Sequence, residues 1–259
     1  GFTHVSGSAD IQIDAIGRYL VTYSNSWSRA VDDATRTGIY ERLDLAGSDI
    51  PGTAANNYIR GTQNGEQITR GNNSTCTIFE TTAINQIIKL KSAREAGAIT
   101  CDRIPLKSRI CIYKLDSSKA FNIGSTSTEN IAPSTEATAT YDASAFLDTG
   151  FSLATNQVTV TDAGKFLLLN TMESDNPSAT RSETDQHIRI NGANNEFGTG
   201  GGYSRNSANM FKTSPNIGII ANVGASETVE VRTKTAAGGA NATRVASTGA
   251  FCGLDLNTL

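Results

Sequence analysis

Histidine, proline, cysteine and strong charge are all scarce in this chain. Its 259 residues hold two histidines, five prolines, four cysteines and one tryptophan, and 22 basic against 25 acidic residues leave a net charge of −3. The basic residues are scattered, so the electrostatic footprint of a nucleic-acid binder is missing and no nucleic-acid partner is expected. The longest apolar runs, such as Ile217 to Val223, have strand length and fall well short of the roughly 20 residues of a membrane-spanning helix. No membrane partner is expected either. Cys76, Cys101, Cys111 and Cys252 form no CxxC pair, which argues against zinc. They read as free, small apolar residues, and Cys101 with Cys111 is the one bridge worth considering. With His4 near one end and His187 beside Ile188, little is available for acid–base chemistry, and no nucleophile-elbow pattern is present. The chain reads as a non-enzyme without cofactor or metal.

What is present is a repeat. Ile11 to Tyr23 (IQIDAIGRYLVTY) returns 147 positions later as Val158 to Asn170 (VTVTDAGKFLLLN), with Gly17 on Gly164 and Tyr19 on Phe166. At that spacing Arg42-Leu43-Asp44 lies over Arg189-Ile190-Asn191, and His187 takes the place of Tyr40. Tyr58-x-Arg60 then recurs as Tyr203-x-Arg205. Further on, Ile78 aligns with Ile219, Cys76 with Ile217, Ile88 with Val229 and Leu90 with Val231, and Lys114-Leu115-Asp116 with Gly253-Leu254-Asp255. A chain that repeats in this way is a duplicated module of roughly 100 residues.

Within each copy apolar residues alternate, as in Tyr19, Val21, Tyr23 and in Val229, Val231, with turn residues between the runs. Period two over short segments predicts half-buried strands. Residues 82–96 carry the one pattern compatible with helix, and their strand-like twin at 223–237 decides for strand. The expected fold is all-β, two tandem antiparallel jelly-roll sandwiches arising from internal duplication, with an immunoglobulin-like sandwich as the rival. Residues 1–116 form the first module, 117–136 a linker rich in Ser, Thr and Asn, and 137–259 the second. Gly150-Phe151 repeats Gly1-Phe2. The first copy therefore lacks the opening strand that precedes Gly150, and that strand is expected upstream of Gly1 or from another chain.

Two glycine-aromatic-apolar runs (Gly17-Arg18-Tyr19-Leu20-Val21 and Gly164-Lys165-Phe166-Leu167-Leu168), followed by Ile188-Arg189-Ile190-Asn191-Gly192 and by Glu227-Thr228-Val229-Glu230-Val231, resemble the tumour-necrosis-factor and complement globular-head jelly-roll superfamily, above all its versions in phage-type structural proteins. The resemblance implies a homotrimer that acts as a binding head, fibre tip or virion decoration. On this reading the chain is a virion structural protein at the particle surface, a capsid decoration, head-fibre or spike component in contact with capsid or other virion proteins. Two alternatives are a receptor- or glycan-binding head, with a host surface glycan as partner, and a double jelly-roll capsid shell subunit.

Candidate binding residues are Tyr58 and Arg60, Tyr203 and Arg205, because an arginine beside an aromatic can stack or grip a carboxylate, and Trp27, the lone tryptophan. The same Tyr–Arg pairs also suit a subunit contact. The run Gly198 to Tyr203 lacks the Gly-Lys-Ser ending and the following helix of a phosphate cradle, and reads as a loop. Asp32, Asp33, Asp44, Asp49, Asp175 and Asp185 match no calcium-loop spacing. Asn72, Asn73 and Asn241 stand in glycosylation sequons.

Overall fold

The computed structural model describes the chain except for residues 30–35, 61, 64–65, 68–69, 97–99, 105, 117, 133, 177, 179, 205–211, 237–239 and 259. Among the described residues there is no α-helix; strands are joined by turns, and a single 3-10 turn covers Leu256–Thr258.

The two halves carry the same pair of sheets. In the first, Phe2–His4, Asp10–Ile13, Gln86–Ala96, Arg36–Leu45 and Ala55–Arg60 lie side by side in that order. Opposite them Gly17–Arg29 runs between Arg70–Thr81 on one side and Cys101–Arg103 with Arg109–Leu115 on the other. In the second half the order Phe151–Ala154, Gln157–Val160, Thr228–Thr235, Ser182–Ile190, Ala193–Ser204 repeats the first sheet. Its partner sheet reads Asn216–Val223, Gly164–Thr171, Ala250–Asp255 and then two further strands, Ala120–Gly124 and Ala143–Leu147. All pairings are antiparallel, and each half is a jelly-roll sandwich. Ala120–Gly124 and Glu129–Ile131 fall in the stretch expected to be a linker. Polar composition misled there, because Phe121 and Ile123 are buried in the second core and Ala120 in the contact between the modules.

Strand pairing also resets the repeat in three places. Leu43 pairs with Leu90 and Ile188 with Val231, so the counterpart of Leu43 is Ile188 and that of His187 is Arg42. Leu20 pairs with Tyr113 and Leu167 with Leu254, so Tyr113 corresponds to Leu254. Both corrections are shifts of two residues, which leave every side chain on its face and are invisible to an alternation pattern. The third is a shift of one. Tyr19 pairs with Phe79 and Phe166 with Ala221, which makes Ile220 the counterpart of Ile78. Ile78-Phe79 and Ile219-Ile220 are adjacent apolar pairs, so period two could not say which member faces inward.

The run Gly198 to Tyr203 is a correction of another kind, since it lies inside the strand Ala193–Ser204. A Cβ on Gly202 would overlap the side chain of Thr213, and one on Gly200 would overlap that of Ile217. The glycines let a neighbouring segment cross close to the strand.

The second core is built on aromatics. Phe121, Phe151, Phe166 and Phe251 pack edge to face in a chain, Tyr141 lies against Phe251, and Val158, Leu168, Val229 and Val231 complete the cluster. The first core stacks Tyr19 on Phe79 at 5.6 Å and adds Ile13, Val21, Tyr23 and Leu43. A third cluster lies between the modules.

Candidate binding surfaces

That third cluster joins outer sheet faces. Ile78, Leu20 and Cys76 of the first module face away from their own core and meet Leu169, Cys252 and Leu254 of the second. Arg70–Thr81 is an edge strand with free backbone groups, and the second module covers them. Asn122 Nδ2 donates to the Ile78 carbonyl at 2.6 Å, and Asn216 Nδ2 to that of Ser74 at 2.6 Å. Thr77 Oγ1 lies 3.4 Å from Cys252 Sγ, and Thr75 Oγ1 lies 3.1 Å from Thr171 Oγ1. Asn56 donates to Glu173 and Ser214, and Arg18 both pairs with Asp148 and stacks on Phe146. All four cysteines are free thiols. Cys76 thus serves the inter-module contact rather than its own core, and burial pushes its thiol up to about 12 and that of Cys252 up to about 11.

Part of the same face on the second module meets water. Ile78 is 0% exposed, whereas Ile220 on Asn216–Val223 is 65% exposed. Leu254 is 2% exposed, whereas its counterpart Tyr113 on Arg109–Leu115 is 57% exposed. Ile78 and Leu254, one from each side of the contact used inside the chain, thus each have an exposed counterpart.

Of the predicted Tyr–Arg pairs, Tyr58 and Arg60 lie on a strand of the first sandwich and Tyr203 on a strand of the second. Tyr58 pairs with Gly38 and Arg60 with Arg36, near one end of the first sandwich. The side chains of Tyr58 and Arg60, and the whole of Arg205, lie outside the described residues. Tyr203 pairs with Glu183 in the second module and carries the guanidinium of Arg181 5.9 Å from its ring centre.

Trp27 borders a cavity of about 400 Å³, lined also by Ile39, Ser92, Arg94, Thr100 and Cys101. Arg103 sits over the indole at 5.4 Å. Its Nη2 donates to Ser92 Oγ at 3.0 Å, and Ser92 Oγ and Asn25 Nδ2 both donate to Glu41 Oε1, at 2.9 and 2.7 Å. Glu41 is fully buried, and neither its Oε2 nor the buried Trp27 Nε1 has a hydrogen-bond partner among the described residues. Such groups are expensive to leave unmade. A polar ligand would find here an aromatic plate, an unused N–H donor and cationic groups. Sequence reading passed over Glu41, Ser92 and Arg103, although Ile39, Glu41 and Leu43 share one parity, which sets a carboxylate on the inward face. Its counterpart Gln186 is an amide that donates to the Pro215 carbonyl at 2.7 Å.

Among the described residues no group of three His, Cys, Asp or Glu is placed to hold a metal ion. Neither a family model nor a curated protein matches the chain. Among solved structures, that of murine APRIL at pH 5.0 is similar at a TM-score of 0.41 and 9% identity, covering 54% of this chain and 99% of that one. The Eiger TNF structure from S. frugiperda is similar at a TM-score of 0.39 and 12% identity, covering 56% of this chain and 96% of that one.

Proposed function

We propose that this chain is a structural subunit that works by protein–protein contact, assembling as a homotrimer on the surface of a virus particle as a capsid decoration, head-fibre or spike component. The observation that carries the reading is the reuse of one kind of surface. Outer sheet faces hold the two modules together, and the corresponding residues Ile220 and Tyr113 stand uncovered. Burying them between copies would supply association energy and cover free sheet edges. Immunogold labelling of intact particles with antibody to the chain tests the location; particles that carry no label would contradict it.

A second reading, a glycan-binding head, is favoured by the Trp27 cavity. Its indole plate and unmatched donor suit a sugar, and the nearby Arg103 and Arg94 suit a carboxylate on that sugar. A glycan array probed with the wild-type chain and with Trp27→Ala tests it: a signal lost in the variant supports this reading, and an array without signal removes it.

A further inference from the structure

The two sandwiches differ at one edge. In the second module Ala250–Asp255 is flanked by Ala120–Gly124, with Phe121 opposite Gly253 and Ile123 opposite Phe251. The corresponding strand of the first module, Arg109–Leu115, pairs with Gly17–Arg29 on one side and with no described strand on the other. Consequences appear in the core beneath. Phe151 is 8% exposed, with the Phe121 ring 5.2 Å away, whereas Phe2, at the same register position, is 44% exposed. Ile110 and Ile112 face the first core yet are only half-buried. The backbone of this edge is free as well. Asp255 N–H donates to the Lys119 carbonyl, and backbone groups alternate sides along a strand. By correspondence the N–H groups of Ile110, Ile112 and Lys114 point outward.

We propose that Arg109–Leu115 is an acceptor edge for a strand donated by another polypeptide, which joins antiparallel in the place that Ala120–Gly124 holds in the second module. The chemistry of that strand follows from the acceptor. It carries an aliphatic residue opposite Ile110 and another opposite Ile112. The second must be smaller than Phe121, because Ile112 fills the space that Gly253 leaves for the ring. A second copy does not supply it through Ala120–Gly124, since those residues are already buried in their own sheet. Strand addition of this kind draws affinity from backbone hydrogen bonds and specificity from alternate side chains. It is independent of the trimer contact, and a chain that stays monomeric still accepts the strand.

The test is fluorescence anisotropy with two labelled peptides, Ser118–Ser125 as it stands in this chain and the same peptide with Phe121→Val. Saturable binding is expected, tighter for the valine peptide. It should weaken about tenfold or more in the Ile112→Pro chain, which loses an edge N–H together with part of the Ile112 side chain, and in the Phe2→Ala chain, which loses the apolar floor and leaves the backbone intact. Peptide that fails to bind, or binds both variants as well as the parent, overturns the proposal. So does a natural form of the protein in which residues ahead of Gly1 occupy the edge and exclude the peptide, or a mass measurement in which Ile112→Pro separates two copies.

Discussion

Ile78 and Ile220 hold the same register position in the two modules, one sealed between them and the other facing water. The contrast gives a direct test of which apolar surface serves the fold and which serves assembly. Ile220→Asp should leave thermal stability within about 0.5 kcal/mol, as exposed substitutions do, while abolishing self-association. Differential scanning calorimetry and sedimentation together check this.

Ile78→Asp should behave in the opposite way. A carboxylate placed among Leu20, Leu169 and Cys252 has no partner, and a loss of about 3 kcal/mol or more is expected. Because the damage falls on the contact between modules, denaturant unfolding should separate into two transitions, read by Trp27 fluorescence for the first module and by overall circular dichroism.

Gly253→Ala probes the aromatic core. Any Cβ at this position overlaps the Phe121 ring, which is itself held by Phe151 and Phe251. Overpacking of this kind costs about 1–3 kcal/mol. The double variant Gly253→Ala with Phe121→Leu should recover part of the loss, measured as the urea midpoint.

Asp44 supplies a pH dependence. Lys91 Nζ donates to its Oδ2 at 2.6 Å and Gly47 N–H to its Oδ1 at 3.0 Å, and the lysine contact above all holds the carboxyl below its ordinary value. The native state thus favours the ionised form. The resulting stability is present in full above the ordinary carboxylate range near pH 4 and is lost as pH falls through the lowered native value. Lys91→Met should therefore lower stability at neutral and basic pH, and the difference from the parent should shrink toward zero as pH falls through the lowered native value, followed by urea unfolding with circular dichroism from about pH 2 to 8.

Much of this architecture could be read from residue order. Glycine turns at Gly17 and Gly164 and alternation in Tyr19–Tyr23 and Phe166–Asn170 were enough to place paired strands and to recognise a duplicated jelly roll. Register was harder. Shifts of two at Leu43 and Tyr113 preserve facing, and the adjacent pairs Ile78-Phe79 and Ile219-Ile220 hide a shift of one, so the inter-module face was missed. Ala120–Gly124 hid within polar flanks, because five residues with only Phe121 and Ile123 large and apolar resemble a connector. Of the named binding residues, Trp27 borders a cavity. The carboxylate beside it, Glu41, becomes legible only when its place between Ile39 and Leu43 is read as an inward position.

The most direct measurement is the mass of the intact 27.3 kDa chain by multi-angle light scattering, in parallel with Ile220→Asp. The account predicts three chains per particle for the parent and a single chain for the variant. A parent that remains monomeric at every concentration reached, or a variant that assembles equally well, would contradict it.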